Sequence, residues 1–418
     1  MRAAGANGRR AIVIALAVVA AAAAGGYFWW RSEQPVRAAR AAFASEQWQR
    51  AFVAASTYLK RHPNRTEVRR IAAQSAARLT MWSAAEDHFS KLPATSPDDL
   101  RWRISAALGL EHWSRAAELL EQMLEQTPDD TQAMLKLAGI RYKDGHDVEA
   151  TELADRAAAL SANTPHAATA YSMLGQVHTA RGNRTVAIEY LRKALKLDPD
   201  GTTLFKPAYE LRLELVRNLL FIGDPQAATA ELEILEKTGP RSGQATVRFL
   251  LGRASWCEGE LETAEQHWQR AIDLDAGHAD SLAALGELEL NRKNADAAIR
   301  YLEAAIQHDP KNVTAFYLLS RALVLAGDAD AGHLAQQQAV RLRDDAMRSM
   351  LEDRMVVNHP DSPETKAILA TREAARGNWS QAEQWAREAA RIEPANPRWQ
   401  RLIGQIRARQ VPEAMVVQ

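Results

Sequence analysis

The side chains that could carry chemistry in this 418-residue chain are dispersed rather than gathered. Eleven histidines are spread along it, among them His62, His88, His112 and His146. None lies in an H-E-x-x-H array or beside a second ligand at helical spacing, so they do not read as metal ligands. No G-x-S-x-G nucleophile elbow occurs. There is no phosphate-cradling glycine loop either, since Gly175 and Gly182 stand seven residues apart in a helical pattern. The single thiol, Cys257, can close neither an internal disulfide nor a cysteine-based metal site, and it reads as a small helix residue. Glu210 and Glu214 have the i,i+4 spacing of two carboxylates on one helix face, which reads as a solvated face rather than an acid/base pair. Eleven tryptophans suggest an aromatic cage, but Trp268, Trp379 and Trp385 fall at core and turn positions of the helical pattern. The expectation is a chain with no catalytic residue, no metal site and no cofactor, hence not an enzyme.

Composition supports a folded chain with no preference for polyanions. Lys+Arg and Asp+Glu both number 52, so the net charge is zero. A nucleic-acid binder usually shows a basic excess on one face, and a disordered tail shows a large net charge. Hydrophobic residues make up 47% and charged residues 25%, as in ordinary globular chains.

The N-terminal segment differs from the rest. Residues 1–10 form a basic tail with Arg2, Arg9 and Arg10. Residues 11–30, AIVIALAVVAAAAAGGYFWW, carry no charge. At about 1.5 Å per residue such a helix spans about 30 Å, the thickness of the bilayer hydrocarbon. Tyr27, Phe28, Trp29 and Trp30 close the run, where an aromatic belt would meet headgroups. Four bulky aromatics directly after the small run Ala20–Gly26 favour an uncleaved anchor over a cleaved signal peptide. No cysteine follows for lipid attachment. Arginines flank both ends almost equally, but long domains translocate largely regardless of charge. The expected topology is therefore a single-pass inner-membrane protein with a cytoplasmic N-terminus and its remaining domain periplasmic.

The elements that would position any site repeat along the chain. Pro63, Pro97, Pro128, Pro165, Pro199 and Pro240 recur at roughly 34-residue intervals, and Pro310 and Pro394 rejoin the series. Between them lie paired amphipathic helical stretches. The clearest unit, Ala168 to Pro199, holds Leu174-Gly175, Gly182, Ala187, Leu191 and Ala194. The same offsets return as Leu251-Gly252, Gly259, Ala264, Trp268 and Ala271, and again as Leu285-Gly286, Ala298, Leu302 and Ala305. Near the end Leu369-Ala370, Gly377, Ala382, Ala386 and Ala389 repeat them. A small residue after the Leu lets the second helix of a pair cross the first closely. Gly182, Gly223, Gly259, Gly327 and Gly377 fall where the first helix needs a left-handed cap. The later apolar residues line one face of the second helix, and the proline ends the pair.

This pattern resembles the tetratricopeptide repeat family, from about Pro35 to Trp399. The resemblance implies an all-α fold: a right-handed α-solenoid of roughly nine to eleven helix-turn-helix hairpins, preceded by one transmembrane helix. Repeats over 31–165 are degenerate; the unit at Trp113–Met123 keeps Ala116 and Leu120 but loses its glycine. Repeats over 166–340 are regular. Residues 341–362 break phase and are expected as an extra helix ending before Pro360. A last repeat occupies 363–394, a capping helix with Trp399, Leu402 and Ile403 occupies 395–410, and 411–418 is a tail.

In this family the first helices line a groove that receives a peptide. Carried over position by position, its floor is Gln176, Arg217, Arg253, Glu287 and Arg321, with Tyr142, Trp256 and Tyr317 nearby. Three arginines among five imply an acidic segment or a terminal carboxylate, because guanidinium forks bind carboxylates at two points. A subclass that grips carboxylate tails with Lys, Asn and Arg is not implied, since Gln176 and Gly139 stand where its asparagines would be. The function expected is a membrane-anchored scaffold binding protein partners, serving assembly of an envelope complex. The alternative is an accessory or regulatory subunit that orients a catalytic partner enzyme.

Overall fold

The computed structural model describes residues 33–92, 96–162, 164–204, 206–359 and 361–412. The expected anchor at 11–30, the basic tail and most of the C-terminal tail lie outside them. No helix of the described residues is long and apolar enough to cross a membrane.

Every regular element among the described residues is helical, and the helices come in successive pairs. The pairs are α1 (33–44) with α2 (Trp48–Leu59), α3 (Thr66–Arg78) with α4 (Trp82–Phe89), and α5 (Pro97–Gly109) with α6 (Trp113–Gln126). Next come α7 (Thr131–Lys143) with α8 (Asp147–Leu160), α9 (Pro165–Ala180) with α10 (Arg184–Leu197), and α11 (Ala208–Phe221) with α12 (Pro225–Thr238). A short 3-10 turn, Arg241–Gly243, precedes α13 (Gln244–Glu258) and its partner α14 (Leu261–Leu274). Then follow α15 (Ala279–Asn291) with α16 (Ala295–His308), α17 (Val313–Ala326) with α18 (Ala329–Asn358), and α19 (Pro363–Ala375) with α20 (Trp379–Ile392). The single helix α21 (Pro397–Arg407) completes the series. The chain divides into two compact units, one up to Leu137 and one from Ala138, the division falling inside α7.

In the first unit, Ala39, Ala51, Ala55, Ile71 and Ala72 form one cluster and Ala73, Ala77, Ala85 and Phe89 another. Small alanines let these short helices approach. The buried Asp99 carboxylate accepts from Arg70 Nε at 2.8 Å and Gln74 Nε2 at 3.1 Å, tying α5 to α3. The missing caps have a visible cost. Glu46, Thr80 and Glu111 take φ of 58°, 56° and 58° at the ends of α1, α3 and α5, a conformation that L side chains adopt reluctantly.

In the second unit the repeat logic holds as expected. Gly182, Gly223, Gly259, Gly327 and Gly377 take φ between 79° and 93° after their first helices. The equivalent position after α15 is Lys293, at φ 62°. The small residue in each first helix is a contact point. A Cβ on Gly175 would stand 2.6 Å from Leu191 Cδ2, and one on Gly286 would stand 2.6 Å from Leu302 Cγ. On Gly252 it would strike the Trp268 indole. Trp268 is fully buried and donates its Nε1–H to the Phe249 carbonyl at 3.2 Å, so it is core and not a cage. Trp379 and Trp385 pack on the cluster of Ala382, Ala386 and Ala389.

Hydrogen bonds between neighbouring hairpins recur at the repeat length. Thr169 donates to the Thr203 carbonyl (2.6 Å), Arg184 to Asn218 Oδ1 (2.9 Å) and Tyr209 to the Gly243 carbonyl (3.1 Å), each 34 residues apart. At the end of the array α21 buries Trp399, Leu402, Ile403 and Ile406 against α19 and α20.

One element departs from the sequence reading. Residues 341–358 are not a separate helix but continue α18, which runs unbroken for 30 residues. No glycine or proline falls between Gly332 and Pro360, so nothing interrupts its hydrogen-bond ladder.

Candidate partner-binding face

The face expected to bind a partner is built from side chains on the first helices of the second unit. Tyr142 lies on α7, Gln176 on α9, Arg217 on α11, Arg253 and Trp256 on α13, Glu287 on α15, and Tyr317 and Arg321 on α17. Neighbouring first helices present equivalent positions side by side. Arg253 Nη1 stands 3.4 Å from Glu287 Oε2 across 34 residues of sequence.

The structure sorts these residues into three groups. Arg253 and Glu287 are joined to each other, both partly exposed, so the Arg253 guanidinium is already engaged. Such a solvated pair contributes about 0–1 kcal/mol and yields readily to a competing carboxylate. Tyr317 and Arg321 are brought together at a cavity of about 760 Å³, which Val324, Leu325 and Lys293 also line. Arg217 is exposed and, like Arg321, makes no ion pair among the described residues. Trp256 turns inward: its ring lies 5.6 Å from that of Trp268, so it extends the core. Gln176 and Tyr142 are half-buried. Burial, and then the negative charges of Asp147 and Glu214, hold the Tyr142 phenol above its ordinary value.

Two groups that sequence reasoning missed or misplaced also sit here. Glu214 is not on an open helix face. Burial raises its carboxyl above the ordinary range, and its nearest cation is Lys206 Nζ at 3.9 Å. Beside it the fully buried Asn218 donates to Thr179 Oγ1 and to the Glu214 carbonyl, both at 2.9 Å, while accepting from Arg184. Asn218 uses its side chain to join α11 to the preceding hairpin. Its position in a Leu-rich helix, one residue past Arg217 of the row, is a signal that could have marked it. No group of His, Cys, Asp and Glu side chains among the described residues could hold a metal ion.

Paired helices with a glycine cap, a small crossing residue and bonds at a 34-residue period define a helical-repeat fold of hairpins. A family model, protein kinase G tetratricopeptide repeat, matches residues 137–350, just over half of the chain, and a general tetratricopeptide repeat model matches 103–163. The chain belongs to the protein kinase G tetratricopeptide repeat family. No curated protein matches it. Among solved structures it is similar to YrrB, described as a TPR protein with an unusual peptide-binding site. That match has 24% identity and TM-score 0.39 and covers 48% of this chain and 97% of YrrB. It is also similar to PilW, a type IV pilus biogenesis factor, at 16% identity and TM-score 0.40, over 56% of this chain and 94% of PilW. MamA of Desulfovibrio magneticus RS-1 matches at 20% identity and TM-score 0.37, over 44% of this chain and 96% of MamA.

Proposed function

We propose that the chain is a membrane-anchored scaffold that binds protein partners through the first-helix face of its second unit. In this reading residues 11–30 hold it in the inner membrane with the N-terminus cytoplasmic, and the hairpins stand in the periplasm and assemble an envelope complex. The observation that carries the reading is that Arg217 and Arg321 make no ion pair among the described residues, on first helices whose equivalent positions meet across repeats. Their preferred partner is an acidic segment or a chain-terminal carboxylate, which a guanidinium fork binds at two points. The Arg253–Glu287 pair would open to admit the same carboxylate.

The test uses the full-length protein in detergent and its partner, identified by proximity labelling in the native cell. Reversing charge at Arg217, Arg253 and Arg321 together should abolish pull-down of that partner while the far-ultraviolet dichroism stays unchanged. An undiminished pull-down eliminates this face. The anchor is tested separately: full-length protein should stay in the membrane pellet at alkaline pH, and a form lacking residues 1–32 should be released. Release of the full-length protein refutes the anchor.

A second reading has one observation in its favour, the name of the matched family, which ties this kind of repeat to a protein kinase. The chain would then orient a catalytic partner. A partner enzyme whose turnover changes on addition of the purified chain, and not on addition of the charge-reversed variant, decides for this reading.

A further inference from the structure

We propose that the cleft between α17 and the first half of α18 is a docking slot for an acidic amphipathic helix of a partner protein, which would take the place of a missing first helix in the stack. The proposal goes beyond the first-helix row, with which the slot shares Tyr317 and Arg321.

The slot follows from the length of α18. Elsewhere in the second unit each hairpin is covered by the first helix of the next: α15 packs on α14, and α17 packs on α16 and α15. At about 1.5 Å per residue, the 14 residues of α16 run about 21 Å, but the 30 residues of α18 run about 45 Å. The next first helix, α19, is fastened to the far half of α18. Arg372 meets Glu352 at 3.4 Å and Asp353 at 2.8 Å, and Thr365 Oγ1 donates to the Met355 carbonyl at 3.0 Å. The near half is left bare.

Positions one repeat apart show what is uncovered. Ala283 is 5% exposed and its counterpart Tyr317 is 52% exposed. Leu290 is 8% exposed and its counterpart Val324 is 57% exposed. Leu302, the large core residue of its hairpin, is replaced at the equivalent place by the exposed Gln336. The first cavity, lined among others by Tyr317, Arg321, Val324 and Leu325, is continued along α18 by a second of about 500 Å³ at Val340 and Arg341.

Shape and charge together select the occupant. Two helices that elsewhere in the fold receive a third present an apolar strip, the geometry of helix-in-groove recognition. Lys293, Arg321 and Arg341 border the strip and make no ion pair among the described residues, and no carboxylate lines either cavity. A helix with apolar residues on one face and Asp or Glu on its flanks satisfies both features. A carboxylate on such a helix would lie against charges that are otherwise only solvated.

The probe is a fluorescein-labelled peptide of residues 279–291, helix-stapled on its solvent face. It carries Asp280, Glu287 and Glu289 and is the helix that fills the corresponding position on α14. Titrated with the full-length chain it should bind saturably, protect α17 and residues 329–341 from amide exchange, and weaken as salt is raised from about 50 to about 300 mM. Val324→Asp, and separately Lys293→Glu with Arg321→Glu, should each weaken it at least about tenfold. A stapled peptide of residues 313–326, which has no carboxylate, should not bind. Absence of saturable binding overturns the proposal. So does protection confined to the α11 and α13 face, which would leave the first-helix reading standing. A Val324→Asp variant that folds and binds undiminished also overturns it. If the chain instead dimerises and Val324→Asp dissolves the dimer, the occupant is a second copy. If removal of 411–418 is needed before the peptide binds, the occupant is the chain's own tail. Either result refutes the partner helix.

Discussion

Asp198 shows what one carboxylate can do between two hairpins. It follows α10 and opens the connection to α11. Burial would push its carboxyl upward, but hydrogen bonds outweigh burial and hold it at about 2. Oδ2 accepts from the Thr203 hydroxyl and amide, both at 2.6 Å, and Oδ1 from the Thr202 amide at 3.0 Å and hydroxyl at 3.2 Å. The Thr203 carbonyl then accepts from Thr169, on α9. A folded value below the unfolded 3.8 means stabilisation that is complete above about pH 4 and is lost as pH falls through about 2. Asp198→Asn should therefore cost about 2 kcal/mol near pH 7. Urea melts should show that deficit shrinking from about pH 4 towards pH 2, whereas a deficit independent of pH would place its source outside the charge. A second residue-scale prediction concerns Glu111, exposed at φ 58° where the regular repeats have glycine. Glu111→Gly should raise stability by about 1 kcal/mol, because the left-handed region strains an L side chain but not glycine. A lower melting temperature would contradict this. Glu111 was legible as a lost glycine in sequence. Asp198 was not, because its bonds depend on backbone positions in a loop that no periodicity describes.

Elements were legible to the extent that they obey the repeat. The step from Leu174 to Gly175 foretold a close crossing, and the structure sets Leu191 against that glycine. One turn before Leu191, Ala187 is fully buried, with no room for a larger side chain at the crossing. Ala187→Trp should lower stability by about 1–3 kcal/mol or more by forcing α10 away from α9. Val186→Trp, one residue away and 38% exposed, should be nearly neutral. Equal melting temperatures for the two variants would show that the crossing is not where steric room is scarce. The continuity of α18 through residue 341 was not legible, for a physical reason. Recurring small residues carry the repeat phase and are lost at 341–358, while the backbone needs only an absence of breakers to continue a helix. Asn218 marks the other limit of pattern reading. Asn218→Leu leaves Thr179 and Arg184 without their buried partner and should cost about 1–3 kcal/mol. A thermal melt unchanged by it would mean that water replaces the amide at no loss.

At the scale of the whole molecule the governing question is how far one hairpin feels another. The two-unit division inside α7 was not legible in the sequence, because the amphipathic pattern runs through it. The family, the hairpin plan and the closing helix were legible, because each reports a surface that one hairpin cannot bury alone. Which first-helix arginines are free was only partly legible: opposite charges one repeat apart, as at Arg253 and Glu287, can be found by offset, but their pairing depends on side-chain reach. In a stack where each repeat touches only its neighbours, damage at one end should remain local. Trp399 tests this. It is 1% exposed, sits in the cluster shared by α19, α20 and α21, and donates its Nε1–H to Glu393 at 3.1 Å. Trp399→Ala should cost about 3–5 kcal/mol at that end. Amide exchange should accelerate across α19 to α21 and remain unchanged in α9 to α16, because the long, weakly buried far half of α18 lies between them and transmits little packing. Uniform acceleration through both regions would instead mean that the second unit unfolds as one block. The bare stretch of α18 would then be a rigid strut, and a partner seated on it would stabilise every hairpin of the unit at once.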